Sequence, residues 1–129
     1  MTEHRLVLQY ERPPLSLNYR LHFREQARRA RALRDAAGLW GRSLRLRADR
    51  VTVGLLWVVG DARRRDADNA VPTLKALCDG LVDAGVVPDD TPRFMVKRMP
   101  VIVVRRGERP HLELVVSVGD GAGFDGWSG

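Results

Sequence analysis

The chain has a single cysteine, Cys78, so no intrachain disulfide can form and a reducing cytoplasm is the expected compartment. It has no long hydrophobic run. The longest strongly apolar stretch, Val51 to Val59, is half the length of a membrane helix, which excludes a spanning segment, and no membrane partner is expected. The first residues carry His4, Arg5, Glu11 and Arg12 and no apolar h-region of the length a signal peptide needs, so no secretory signal is expected. No phosphate-cradling Gly-x-x-x-x-Gly-Lys loop occurs, so neither NTPase activity nor a nucleotide cofactor is expected. His4, His22 and His111 are far apart and only one cysteine accompanies them, which does not suit zinc. Lysine is nearly absent too: of 22 cationic residues only Lys75 and Lys97 are lysines, and the rest are arginines.

What is present describes a small globular protein. The 129 residues, 44% hydrophobic and 29% charged, are enough for one core and one domain and too apolar for wholesale disorder. Lys+Arg is 22 and Asp+Glu is 16, a net charge of +6. Arginine pairs bidentately with phosphate and keeps its charge in any environment. Nucleic acid is therefore the leading partner, set against the plainer reading of an arginine-rich composition with a solvated surface.

Periodicity gives the order of elements. His4 to Tyr10 alternates, with Leu6 and Leu8 on one face, and reads as a strand stopped by Pro13-Pro14. Ser16 and Asn18 offer caps for a helix over Leu21 to Trp40. In that helix Phe23, Ala27, Ala30, Leu33, Ala37 and Trp40 form an apolar stripe, and Arg20, Arg24, Arg28 and Arg31 form a second one beside it. The arginine stripe is either a solvated face or a surface that tracks phosphates. Val51 to Val59 reads as a strand covered on both faces. A second helix is expected over Pro72 to Ala84, ended by Gly85, with Cys78 in its apolar set as a core residue rather than a nucleophile. Phe94 to Val104 and His111 to Val118 read as strands joined in a hairpin with a basic tip, Arg105 to Pro110. The expected fold is α/β of the α+β kind: a single domain with a mixed sheet of about four strands, two main helices packed on it, and the order β-α-β-α-β-β. Residues 1–118 would form the domain and 119–129 a glycine-rich flexible tail.

The chemistry concentrates in three places. In Arg63-Arg64-Arg65-Asp66-Ala67-Asp68-Asn69, cations run straight into carboxylates. If that stretch is extended, Asp66 and Asp68 face the same way, and Asn69 can cap the next helix. Paired carboxylates suit Mg²⁺ or Mn²⁺, and Arg63, Arg64 and Arg65, with Asn69, would contact nucleic acid, the arginines holding its phosphates; a surface turn of mixed charge is the competing reading. Gly85-Val86-Val87-Pro88-Asp89-Asp90 offers a third carboxylate, or an ordinary turn. Between them Lys75, Asp79 and Asp83 share the polar face of the second helix, where Lys75 is either the helix partner of Asp79 or a cation placed to stabilise a phosphoryl transition state.

In this order Arg65 to Asn69, Leu74 to Leu81 and Ala84 to Asp90 resemble the signature of the RusA-type Holliday junction resolvases. The similarity continues more weakly through Pro13-Pro14, Ser16 and Asn18 and through Val96 to Val101. The resemblance implies a small homodimeric hydrolase, often encoded by phages or prophages. It implies Mg²⁺-dependent cleavage of four-way DNA junctions, with metal-binding catalytic aspartates at Asp66, Asp68 and Asp90 and a catalytic lysine at Lys75. That family places the lysine three residues after the asparagine, whereas Asn69 and Lys75 are six apart here. The extra Ala70-Val71-Pro72 is expected to lengthen the loop, with Pro72 opening the helix and Lys75 in its first turn; the alternative is that they lengthen the helix, which would move Lys75 by about 5 Å and away from the catalytic position. Two other readings are a nuclease for branched or flap DNA in general, and a basic nucleic-acid-binding protein without catalysis.

Overall fold

The computed structural model describes residues 2–119; the expected tail, apart from Gly119, lies outside the described residues. The elements are β1 (Thr2–Leu8), α1 (Phe23–Leu44), β2 (Val51–Val59), a 3-10 turn (Ala67–Ala70), α2 (Val71–Asp83), β3 (Met95–Lys97), β4 (Val101–Val104) and β5 (His111–Val118). Among the described residues no helix is long and apolar enough to cross a membrane.

The β-branched run of β2 takes the centre of the sheet, where both of its edges are paired. It runs antiparallel to β5 and parallel to β3 and β4, while β1 pairs antiparallel with β5 on the outside. The result is the expected mixed α+β domain, a sheet carrying two helices, with five strands rather than about four. The added strand comes from the expected Phe94 to Val104 segment, which is split. Val53 is level with Lys97 and Leu56 with Val101, so three steps on β2 match four on the edge. That is a bulge, fixed by the Arg98 N–H donating to the Val53 carbonyl at 2.8 Å. Pro100 sits in this gap, where a residue without an N–H costs no ladder bond. The expected hairpin is also corrected. β4 and β5 lie on opposite sides of β2 and do not pair with each other, because the apolar central strand accepts one on each edge.

Alternation along β2 and β5 divides the side chains between two faces. Val51, Val53 and Leu55 join Leu112, Leu114 and Val116 against Leu33 and Ala37 of α1 and Leu74, Leu77 and Leu81 of α2. Leu56, Val58, Val103 and Val115 form a smaller cluster on the other side. Every residue of β2 except Trp57 is buried, in accord with a strand covered on both faces.

Helix α1 departs from expectation at its start. His22 is the N-cap, its Nδ1 accepting from the Arg24 N–H at 3.2 Å. Ser16 and Asn18 instead close a local turn upstream, with the Asn18 N–H donating to Ser16 Oγ at 3.3 Å. Leu33 and Ala37 are buried and Ala30 and Trp40 half-buried, but Ala27 is exposed and Phe23 is 71% exposed. The cause is length: α1 has 22 residues and α2, its partner, only 13, so the first turns of α1 have no helix beside them.

The two helices approach closely at Gly80. A Cβ there would run into the Arg34 carbonyl and lie 2.9 Å from both the Ala37 Cβ and the Gly38 nitrogen. Arg34 also forks onto Asp83 of α2, with Nη2 to Oδ1 at 2.7 Å. Gly80→Ala is expected to cost about 3 kcal/mol through forced separation of the helices, against a gain of about 1 kcal/mol in helix propensity. Melting followed by circular dichroism should show a drop of at least about 6 °C. A variant melting as high as the parent would show that the crossing can open freely.

Glu113 is the buried acid of the second face, its side chain 8% exposed. Arg5 Nη1 reaches it at 2.9 Å, Arg105 Nη1 at 2.8 Å and His111 Nε2 at 2.7 Å. Burial pushes its pKa up, but these three donors more than offset that and hold it below the usual glutamate value. Burial likewise opposes a charged His111. The Arg109 carbonyl at Nδ1 and Glu113 at Nε2 prevail and raise its pKa, since two acceptors favour the doubly protonated ring. The sign follows from linkage. His111 stabilises fully below its unfolded value of about 6.5 and loses that contribution as pH rises through its raised folded value; Glu113 stabilises above about 4.5 and loses it in acid. The melting temperature is therefore expected to fall as pH rises above about 6.5. His111→Gln should flatten that slope; an equal slope in the variant would assign the pH dependence elsewhere.

Candidate active site

The chain leaves β2 at Val59 and passes through the arginine-rich loop before α2. Arg65 is folded back onto that loop. Its side chain is 12% exposed and donates to the Asp61 carboxylate at 3.0 Å and to the Asp61 and Arg63 carbonyls at 3.1 and 3.0 Å. It braces the loop, whereas Arg63 and Arg64 are exposed. Asp66 is extended (φ −99°, ψ 116°), but the 3-10 turn begins at the next residue. The two-residue alternation that would align Asp66 with Asp68 therefore ends at Asp66. Neither carboxylate has a hydrogen-bond or ion-pair partner among the described residues.

The loop expected at Ala70-Val71-Pro72 is helical instead, so the extra residues lengthen the helix and carry Lys75 about one turn along it from the place the resemblance implies. The 3-10 turn runs directly into α2 at Val71, Ala70 is fully buried, and Pro72 occupies the first turn, where its missing N–H is harmless. Asn69 is not the cap: Ala70 holds that position without a side-chain bond, and the Asn69 N–H donates to the Asp66 carbonyl at 3.1 Å. Lys75 is the fifth residue of α2 and stands just past the first turn rather than in it.

Helix α2 ends where Gly85 turns the backbone with φ +77°, a left-handed conformation that suits glycine. The Gly85 and Val86 N–H groups donate back to Val82 and Leu81 at 2.9 and 3.1 Å, and buried Val86 and Val87 anchor the loop that carries Asp89 and Asp90. The following turn, in which Phe94 and Met95 N–H both bond the Thr91 carbonyl, leads into β3 and Lys97. Lys97 Nζ lies 2.9 Å from Asp90 Oδ2, and Lys75 Nζ lies 3.7 Å from the same oxygen and 3.6 Å from Asp79 Oδ1. The only two lysines of the chain thus meet at one carboxylate. Lys97 holds the Asp90 carboxyl below the usual aspartate value, first through its hydrogen bond. Burial opposes the Lys97 charge, but the contact with Asp90 and neighbouring charges raise its pKa. Both groups stay ionised at neutral pH. Lys97 was not singled out from sequence; the scarcity of lysine was the signal that could have found it.

Asp66, Asp68 and Asp90 are hard oxygen donors of the type Mg²⁺ or Mn²⁺ takes. Among the described residues, however, no three His, Cys, Asp or Glu side chains converge as a ligand set. Asp90 is held between Lys75 and Lys97. The donor chemistry fits a divalent cation; the arrangement of the side chains does not yet make a closed site for one.

Of the expected arginine stripe, Arg20 precedes α1, and Arg24, Arg28 and Arg31 are exposed on it. Glu25 reaches Arg28 at 2.9 Å and Arg29 at 3.0 Å, so a carboxylate does partly neutralise that face. Cys78 is fully buried, and burial pushes its thiol up to about 12, which accords with a core residue. No protein-family model matches the chain, and no curated protein is found similar to it.

Proposed function

We propose that this protein is a metal-dependent endonuclease acting on four-way DNA junctions, in the manner of the RusA-type resolvases its motifs resemble. The observation that carries the reading is the meeting of Lys75 and Lys97 at Asp90 in a chain that otherwise uses only arginine. Ammonium groups held beside a carboxylate at the surface suit a phosphodiester whose charge grows during attack. Asp66, Asp68 and Asp90 would hold Mg²⁺, or Mn²⁺ in its place. When bound, the ion lowers the pKa of a water and offsets charge on the scissile phosphate.

The remaining roles belong to side chains of the chain. Asp90 orients both ammonium groups, and Lys75, at the longer distance, is the freer of the two to turn toward phosphate. Lys97, at hydrogen-bond distance, fixes Asp90. Exposed Arg63, Arg64, Arg24 and Arg31 supply the electrostatic attraction that draws the polyanion in. A homodimer in the cytoplasm fits this activity, since resolving a junction takes two symmetric cuts.

The test is incubation with a synthetic four-way junction, a flap and a linear duplex, each with and without Mg²⁺. Paired nicks on the junction that require Mg²⁺ support the proposal. Equal cutting of flaps and junctions would assign a general branched-DNA nuclease. A second reading, a basic nucleic-acid-binding protein, rests on the exposed Arg24, Arg31, Arg63 and Arg64, and metal-independent binding without cleavage would establish it.

A further inference from the structure

Two cavities outside the acidic motif meet at Glu11 and Arg12. The first, about 480 Å³, lies between the β1–α1 connection and α1 and is lined by Tyr10, Tyr19, Arg28 and Arg29. The second, about 540 Å³, lies beyond the end of β2 and is lined by Trp57, Asp61, Arg63 and Arg65. Because Glu11 and Arg12 border both, the two are successive stations of one groove. It runs from the first half of α1 to the loop that leads into Asp66.

The lining has a consistent chemistry. Five arginines line it against Glu11 and Asp61; Arg65 among them is bound to Asp61, and a third carboxylate, Glu25, binds Arg28 and Arg29. Positive charge remains in excess, and the Arg12 and Arg63 guanidinium groups have no hydrogen bond or ion pair among the described residues. The aromatic content is just as uneven. Of the six Phe, Tyr and Trp side chains in residues 2–119, three line this groove, both tyrosines among them. Tyr19 is held in place by its hydroxyl donating to the Pro13 carbonyl at 3.0 Å, and Arg12 lies over its ring, 5.9 Å from the centroid. Cations that follow a backbone, interleaved with fixed aromatic rings, are how proteins bind unpaired nucleic acid strands. A duplex hides its base faces in the stack, and only an unpaired strand offers them to a tyrosine.

We infer that this groove binds a single-stranded segment of nucleic acid, with Arg12 at its midpoint and Tyr19 as a stacking platform. In the proposed nuclease, on which this inference builds, the groove would take a strand unpaired at the branch point and lead it toward the acidic motif.

The experiment is fluorescence anisotropy with a labelled oligo-dT of about 12 nucleotides and a duplex of the same length, in EDTA, across a salt series. Arg12→Gln is expected to weaken oligo-dT binding by about tenfold and to reduce the salt slope by about 0.7, while duplex affinity changes less than about twofold. Tyr19→Leu should weaken oligo-dT binding by about tenfold with the salt slope unchanged. Arg12 is exposed and makes no structural hydrogen bond, so its variant keeps the test decisive if Tyr19→Leu does not fold. Equal losses on single strand and duplex, or no loss on the single strand, would overturn the inference. Because no cleavage is measured, its failure is separate from that of the nuclease reading. A protein that never cuts but loses oligo-dT binding in both variants keeps the groove and drops the enzyme.

Discussion

Asp90→Asn is expected to slow single-turnover junction cleavage by roughly 10³, about 4 kcal/mol of transition-state stabilisation, while junction affinity stays the same or rises. Asp90 is the point at which Lys75 and Lys97 meet, and its carboxylate is kept ionised by Lys97. Asparagine has nearly the same shape but no charge, so two ammonium groups lose their counter-ion and a metal would lose an anionic ligand. The freed ammonium groups attract DNA phosphate more strongly, which is why binding and cleavage should move in opposite directions. Single-turnover assays at saturating protein, with gel-shift titrations in EDTA beside them, separate the two. Cleavage within about threefold of the parent would show that Asp90 is only a surface ion-pair partner.

Lys75→Ala is expected to reduce the same rate by about 10² and to leave junction binding close to the parent, because a cation used mainly in the transition state adds little ground-state affinity. The structure sharpens the comparison by supplying Lys97 as a control. Lys97 is hydrogen-bonded to Asp90 at 2.9 Å, whereas Lys75 stands 3.7 Å away and is shared with Asp79. Lys97→Ala should therefore act through the position of Asp90 and shift the acid limb of the pH–rate profile upward, since Asp90 loses the partner that lowers its pKa. Lys75→Ala should lower the plateau with less change in that limb. If Lys97→Ala lowers the plateau and Lys75→Ala does not, the two lysines exchange roles. If neither changes the rate by more than about threefold, the transition-state cation is to be sought among the arginines, Arg64 first, because Arg65 is committed to Asp61.

Much of the scaffold was legible in the residues. Periodicity gave β2 at its observed bounds, both helices to within a few residues, and a mixed sheet with helices on it. These are properties of local pattern: a β-branched run must be buried, and an amphipathic segment must find an apolar face. Capping was less legible. Ser16, Asn18 and Asn69 are good cap residues by type, but a cap also needs the right place in the chain, and His22 and Ala70 occupied those places.

What tertiary structure decided is which distant groups became neighbours. Sequence put Asp66, Asp68 and Asp90 forward as a set, and Lys75 either as a catalytic cation or as the helix partner of Asp79. It could not specify that the turn after Asp66 would close into a 3-10 helix and end the extended run that would align the first two aspartates. Nor could it pair the edge of the sheet: only the parallel register of β3 on β2, with its bulge at Arg98, delivers Lys97 to Asp90. The same holds for the split of Phe94 to Val104 and for the two sides of β2 taken by β4 and β5. Local sequence determines elements because its forces act within a few residues. Strand order and register are set by how the whole apolar surface is buried at once, and the neighbours of Asp90 follow from that global balance.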